Sequence, residues 1–342
     1  MRILVIQTAF IGDIVLTTSF LRALALKWPH AEIHLVTTGA GCEVLAGWNQ
    51  VRLHPMNKAL GFSASIAKVL GSLLPHGEFD VVFAVHRSIR SLWLGRKLKA
   101  KKRVAFRSIA SALLGYEQVP YPEYREDAHY ADKPMALLSR FGEVPATPRP
   151  FLCIAAADEV WFHQEVLGKV HSKYIVLSPF SVWGTKIWFS DRYARLAQSL
   201  AKEHGATIVL IGSQGTQEAI VADAISEKVS RSGGRVLNLV GKTTLGQLKA
   251  VIRGAALLIS NDSAPVHVAS AFDVPTVAIF GPTVRKWGFF PLATKSVVVE
   301  RHNLSCRPCH IHGPTRCPKR HFRCMDEIQV EDVMKAAESF LV

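Results

Sequence analysis

Residues 1–27, MRILVIQTAFIGDIVLTTSFLRALALK, decide the fold. Ile3 to Gln7 is a short β-branched run with no alternation, the pattern of a strand buried on both faces. TAFIGD follows as a loop, and Ile14 to Lys27 carries a helical pattern halted by Pro29. A buried strand leading through a tight loop into a helix opens a parallel βαβ unit. Outward from it, Ile33 to Thr37 and Val81 to Val85 read as the next strands.

The plan starts again after residue 173. Strands are expected at 174–178, 207–211, 236–240, 257–260 and 276–280. Helices are expected at 191–204, where Gly205 ends the run, at 247–253 and at 263–272. The Pro-rich stretch Gly142–Pro150 reads as a linker. Two doubly wound α/β domains follow, 1–150 and 151–342. The last helix is a candidate to pack back on the N-terminal domain.

The 342 residues carry a net charge of +14, which points to an anionic partner. Nine Lys or Arg and no acid fall in 87–107, and six more, again without an acid, in 301–325. A solvated basic face explains the first group as well as a binding surface does. No run reaches the ~18–20 apolar residues of a membrane span, and the N-terminal apolar run is too short for a secretory leader. A soluble, cytoplasmic protein is expected.

In open parallel sheets ligands bind beyond the carboxyl ends of the strands, which selects the loops to inspect. In the first, Gly12 allows close backbone approach. Asp13 then opens the helix, either as a plain N-cap or as a carboxylate kept ionised by the helix dipole and able to accept a proton. In the second half, Asn261-Asp-Ser-Ala-Pro-Val-His267 leaves a strand and enters a helix, a phosphate-binding arrangement. Ser263 can donate a further hydrogen bond, and Ala264 leaves room. Asp262 would repel a diphosphate, so it is expected to hold backbone N–H groups or a sugar hydroxyl. His267 reads equally as ligand or as packed core. The loop Ser178–Trp188 offers Ser178, Ser181 and Thr185 hydroxyls and one cation, Lys186. That lysine is either a surface residue or a counter-charge for a leaving diphosphate. Trp183 and Trp188 read as packing residues. Glu218, after the Gly212-Ser loop, is a candidate for a ribose diol.

GxGxxG, GxxxxGK[ST] and GxSxG are all missing. This argues against a dinucleotide dehydrogenase, a P-loop ATPase and a serine hydrolase of that type. Cys306, Cys309, Cys317 and Cys324 have the spacing of a structural zinc site. Reduced thiols, or a basic loop over the active site, are the other readings.

Taken together, Ile11-Gly-Asp13, Trp183–Trp188, Gly212-Ser with Glu218, Val240-Gly-Lys-Thr243, Asn261–His267, Phe280-Gly-Pro-Thr283 and the cysteine pattern resemble the ADP-heptose:lipopolysaccharide heptosyltransferases, especially the branch that adds the second heptose. The resemblance implies a GT-B fold, two Rossmann-like domains facing across a cleft, with acceptor on the first and donor on the second. It implies inverting transfer that needs no metal, so any zinc would be structural. By resemblance, Asp13 is the base and Lys186 steadies the departing diphosphate. Glu218 holds the ribose, Thr243 lines the adenine side, and Asp262 orients the heptose. Ser263 and Ala264 take the phosphates, and His267 matches a recurrent donor-site histidine.

The expected partners are ADP-heptose, the lipopolysaccharide inner core with its lipid A, and the anionic inner-membrane surface. The stretch 87–107 fits a phosphorylated lipid acceptor, with His86, Arg87 and Arg90 as acceptor contacts. Ser19, Ala264-Pro265 and Thr283–Trp287 depart from the commoner pattern, which bears on the donor's sugar. Another nucleotide-sugar donor is the alternative within enzymes. A nucleic-acid-binding module is disfavoured, because Trp93 and Phe106 are the aromatics in the basic stretch.

Overall fold

Ile3, Leu4, Val5 and Ile6 are all fully buried, as expected of a central parallel strand. The structure, a computed structural model, describes residues 1–170 and 173–341. It divides into two compact units, Met1–Cys153 and Ile154–Val342.

The first unit contains β1 (Arg2–Ile6), α1 (Ile11–Lys27), β2 (Glu32–Thr38), α2 (Gly39–Val44), β3 (Val51–Met56), α3 (Phe62–Leu73), β4 (Phe79–Ala84), α4 (Ile89–Lys97), β5 (Ala100–Phe106), α5 (Ile109–Leu113) and β6 (Glu117–Val119). Its sheet order is β3-β2-β1-β4-β5-β6, and every pairing is parallel. The order reverses between β1 and β4, which is the topological switch point. The chain from Glu143 to Phe151 lies along α1. Lys27 donates to Glu143 O (3.1 Å), Arg22 to Arg149 O (2.9 Å), and Phe151 N to Thr18 Oγ1 (2.9 Å).

The second unit repeats the design. It contains α6 (Ala156–Phe162), β7 (Tyr174–Ser178), α7 (Ser190–His204), β8 (Thr207–Leu210), α8 (Thr216–Arg231), β9 (Val236–Asn238), α9 (Leu245–Arg253), β10 (Leu257–Asn261), α10 (Ala264–Phe272), β11 (Thr276–Phe280), β12 (Ser296–Glu300), α11 (Arg323–Asp326) and α12 (Val330–Leu341). The sheet order is β12-β11-β10-β7-β8-β9. Counted from β7, this is the same order as in the first unit, with the switch between β7 and β10. Gly205 ends α7 with φ 60°, where a side chain would be strained. Helix α12 packs on α7 and on β10, β11 and β12 of its own unit.

Two local expectations change. The first helix begins at Ile11, three residues early, so Phe10 occupies the N-cap position and Asp13 lies inside the first turn. The basic stretch 87–107 is not one surface. It forms α4 and β5, and Lys102 and Arg103 pair with Val81 and Val82 in the middle of β4, short of its carboxyl end. Arg103 there donates to the carbonyls of Gly95 (3.1 Å) and Leu98 (2.5 Å), and Lys101 pairs with Asp80 (2.7 Å). These cations complete a helix end and a strand start. Arg87 and Arg90 remain at the ligand-binding end.

Candidate functional site

At the switch point of the first unit the carboxyl ends of β1 and β4 bring Thr8 and His86 together, with Thr8 Oγ1 2.9 Å from His86 Nδ1. Burial, then the nearby Lys58 ammonium, pushes the His86 pKa down to about 4, so the ring is neutral near pH 7. Lys58 donates to the Thr8 carbonyl. Burial and the Arg90 guanidinium both lower its pKa. Arg90 packs 5.6 Å from the Phe62 ring, and its buried Nε lacks a hydrogen-bond partner among the described residues.

Asp13, half-buried in the first turn of α1, acts on a group the sequence reading did not include. Burial is the largest cause raising the Tyr130 pKa, and the Asp13 charge is the next. The phenol therefore stays protonated beside the carboxylate. Tyr130 is hydrogen-bonded to Tyr121, and Tyr121 to Tyr124. Arg87 stacks over Tyr121 at 4.5 Å. Lys133 lies 3.5 Å from the Tyr124 ring centre and donates to Pro122 O at 2.8 Å. Its burial, then Arg87, pushes its pKa down to about 8. His86, Arg87 and Arg90 thus belong to one polar region with Lys58, Lys133 and three tyrosines. The tyrosines gave no periodic signal, because Tyr121 and Tyr124 lie on an irregular segment and Tyr130, which opens the 3-10 helix Tyr130–Phe141, meets Asp13 only in three dimensions.

The switch point of the second unit is built differently. Lys186 Nζ and Asp262 Oδ2 form an ion pair of 2.7 Å, with side chains 10% and 5% exposed. Thr283 Oγ1 donates to the same carboxylate oxygen at 2.7 Å. Within the protein Asp262 therefore holds a lysine and a hydroxyl. A carboxylate this buried requires a counter-charge. Neighbouring Asn261 locks the loop, accepting from Trp188 N and from Tyr193 Oη, both at 3.1 Å. Trp188 is fully buried and donates through Nε1 to Ile328 O at 3.0 Å.

Ser263 is the N-cap of α10, but no side chain caps the helix. The serine hydroxyl lies 3.2 Å from Asn261 O. The α10 N-terminus at Ala264 thus presents backbone dipole toward the loop. His267 is buried within α10, its ring 6.2 Å from that of Phe289. Ser178 is buried at the end of β7. Thr243 is half-buried in the turn before α9. Ser181 and Glu218 line one pocket of about 380 Å3 with Pro179, Phe180, Gln217 and Phe322. The Glu218 carboxylate folds over Gly215, where an added Cβ would lie 2.0 Å from Oε2. Gly12, the second residue of α1, is the remaining candidate, in the first unit.

The cysteine-rich segment reaches this site. Thr185 donates both N–H and Oγ1 to Pro314 O, and an added Cβ on Gly184 would lie 2.6 Å from Thr315 O. His312 stacks on Trp183 at 5.8 Å and 12°. Burial, then the Lys186 charge, lowers its pKa. Burial raises the pKa of Cys309 and Cys324, and neighbouring cysteines add to it: Cys306 and Cys317 act on Cys309, and Cys306, Cys309 and Cys317 on Cys324. The four thiols therefore share a neighbourhood, but no three of their sulfurs close to within 4.8 Å. A tetrahedral zinc site would need sulfurs roughly 3.8 Å apart, so the donor chemistry fits an ion and the spacing is open.

Among the described residues, no helix is long and apolar enough to cross a membrane. The model of glycosyltransferase family 9 (heptosyltransferase) matches residues 68–316. The chain is 24% identical to the lipooligosaccharide heptosyltransferase 2 of Campylobacter jejuni, over 100% of this chain and 98% of that protein. The structure of a family 9 glycosyl transferase from Veillonella parvula matches with a TM-score of 0.84 at 23% identity, covering 99% and 97% of the two chains. That of the E. coli ADP-heptose lipopolysaccharide heptosyltransferase II matches with a TM-score of 0.77 at 21% identity, covering 100% and 98%. These likenesses show the GT-B type of fold.

Proposed function

Because the chain belongs to glycosyltransferase family 9, the heptosyltransferases, we propose that it moves L-glycero-D-manno-heptose from ADP-heptose to the inner core of lipopolysaccharide, adding the second heptose with inversion. The observation that carries this reading is the Lys186–Asp262 pair beside an uncapped α10 at one switch point, matched by Asp13 in the first turn of α1 at the other.

In this reading the first unit holds the acceptor. Lys58, Arg87, Arg90 and Lys133 take its anionic groups, and the unpartnered Arg90 Nε supplies one donor. Asp13 removes the proton of the attacking hydroxyl. The oxygen bonds to the anomeric carbon as the bond from that carbon to the diphosphate breaks, and ADP leaves carrying the electron pair. Lys186, the Ser263 and Ala264 N–H groups and the α10 dipole stabilise the charge growing on the diphosphate. Glu218 and Ser181 hold the ribose, Thr243 lines the adenine side, and Asp262 orients the heptose while fixing Lys186. No step calls for a metal ion, and four thiolates closing on zinc would leave no open position for catalysis. A lipid-borne acceptor places the enzyme at the anionic cytoplasmic face of the inner membrane.

The test is mass spectrometry of lipopolysaccharide cores ending in zero, one or two heptoses, each incubated with ADP-heptose and the protein. A single heptose should be added to the one-heptose core. Addition only to another core, or only from another nucleotide sugar, would overturn the assignment.

A further inference from the structure

Away from both switch points, three imidazoles converge toward the amino ends of the first unit's strands. His34 lies on β2, His54 on β3, and His76 in the 3-10 turn Leu74–His76 between α3 and β4. One ligand nitrogen from each lies within 4.8 Å of the others, and among the described residues this is the one such group of His, Cys, Asp or Glu. His34 is fully buried, His54 is 5% exposed, and His76 is half-buried. The His34 and His54 rings stack at 5.1 Å and 14°, and His76 stands edge-on to both.

The outer nitrogen of each buried ring faces an oxygen, although the His34 Nε2 contact is not aligned as a hydrogen bond. Glu32 pairs with Arg2 (3.0 Å) and Arg52 (2.8 Å), and its Oε1 lies 3.3 Å from His34 Nε2. A carboxylate can only accept, so its charge favours the His34 proton on Nε2. His54 Nδ1 lies 3.0 Å from Ser72 Oγ, whose hydroxyl donates to Val69 O at 2.8 Å. With an ion on the inner nitrogens, that arrangement keeps the His54 proton on Nδ1. The inner nitrogens, His34 Nδ1 and His54 Nε2, face each other 2.9 Å apart, a distance at which one proton between them makes a hydrogen bond.

We propose that His34, His54 and His76 bind one borderline divalent transition-metal ion of the zinc class, tying β2, β3 and the end of α3 together. Imidazole suits such ions. Outer-nitrogen acceptors like Glu32 and Ser72 are what orient ligating histidines. A zinc–nitrogen length of about 2.0–2.1 Å sets roughly 3.4 Å between tetrahedral ligand nitrogens, within reach of small ring rotations. Without the ion, the Ser72 hydroxyl turns onto His54 Nδ1 and the His54 proton moves to Nε2, closing a bond between the rings. Binding therefore exchanges one tautomer and releases no net proton. The site uses no residue of the transfer reaction.

The test uses the full chain, stripped with chelator and titrated with cobalt(II). Visible ligand-field bands report binding, and a near-ultraviolet thiolate band identifies any ion on the cysteines. One equivalent should bind without a thiolate band. His76→Ala should weaken it by about 100-fold or more, Ser72→Ala by about tenfold, and Cys309→Ser should leave it unchanged. His76 and Ser72 are not core residues, so both variants should keep the unfolding midpoint of the stripped protein. If His76→Ala misfolds, Ser72→Ala still decides. Cobalt bound only with a thiolate band, or bound equally by wild type and both variants, would overturn the site.

Discussion

At its switch point the first unit gathers Lys58, Arg87, Arg90 and Lys133 on the side of Asp13, and two of these ammonium groups lower their pKa partly against a neighbouring guanidinium. At the matching point of the second unit a lysine and a carboxylate neutralise each other at 2.7 Å. The strand order is the same in both. One fold therefore supports two electrostatic designs. Like charges held this close attract an anion from outside. A buried pair that is already satisfied fixes geometry in advance, so that a ligand's charge meets an ordered lysine.

The contrast can be broken at either end. The largest effect is expected from Asp13→Asn, which keeps the shape and removes the base. Transfer should fall by about 10²–10⁴-fold, with ADP affinity unchanged in a binding titration. Turnover within tenfold of wild type would remove Asp13 from the chemistry. Next in size is Asp262→Ala, which strands the Lys186 ammonium. Loss of one partner of a buried pair costs about 3–5 kcal/mol, to be read from urea unfolding. Lys186→Met with Asp262→Leu should recover most of that loss. An Asp262→Ala protein as stable as wild type would show that the pair does not hold the loop.

The smallest effect concerns pH. His86 is held near 4 in the folded chain, against about 6.5 when unfolded. Between those values the unfolded chain binds a proton that the folded chain refuses. Stability should therefore fall as pH drops through this window. In His86→Gln the stability–pH slope should be shallower, by at most about 1.4 kcal/mol per pH unit. Equal slopes would mean that His86 is not the buried neutral ring described.

What could be read in advance follows burial. Central strands such as ILVIQ and YIVLS are covered on both faces, so they are unbroken apolar runs. The outer strands β3, β5, β6 and β12 were not anticipated. β3 carries Pro55, tolerated at an edge, and shows an alternating burial pattern. β5 opens with Lys101, Lys102 and Arg103, which looked like surface charge until their pairing partners were known.

The site divides in the same way. Asp13, Lys186 and Asp262 could be selected from the sequence, because loops after parallel strands and helix starts are marked by local residue types. Thr283 lay within a quoted motif without a role. The Lys186–Asp262 bond joins residues 76 positions apart, and the link from Tyr130 to Asp13 spans 117. His312 reaches Trp183 only because the cysteine-rich segment folds back. The sequence by itself determined the parallel α/β plan, the family and the loops that carry chemistry, since periodicity and helix-start signals are local. Only the tertiary structure decided which charges are paired, which are left facing one another, and where three separated histidines meet. Those outcomes depend on long-range proximity and burial, and a linear chain encodes neither in any one segment.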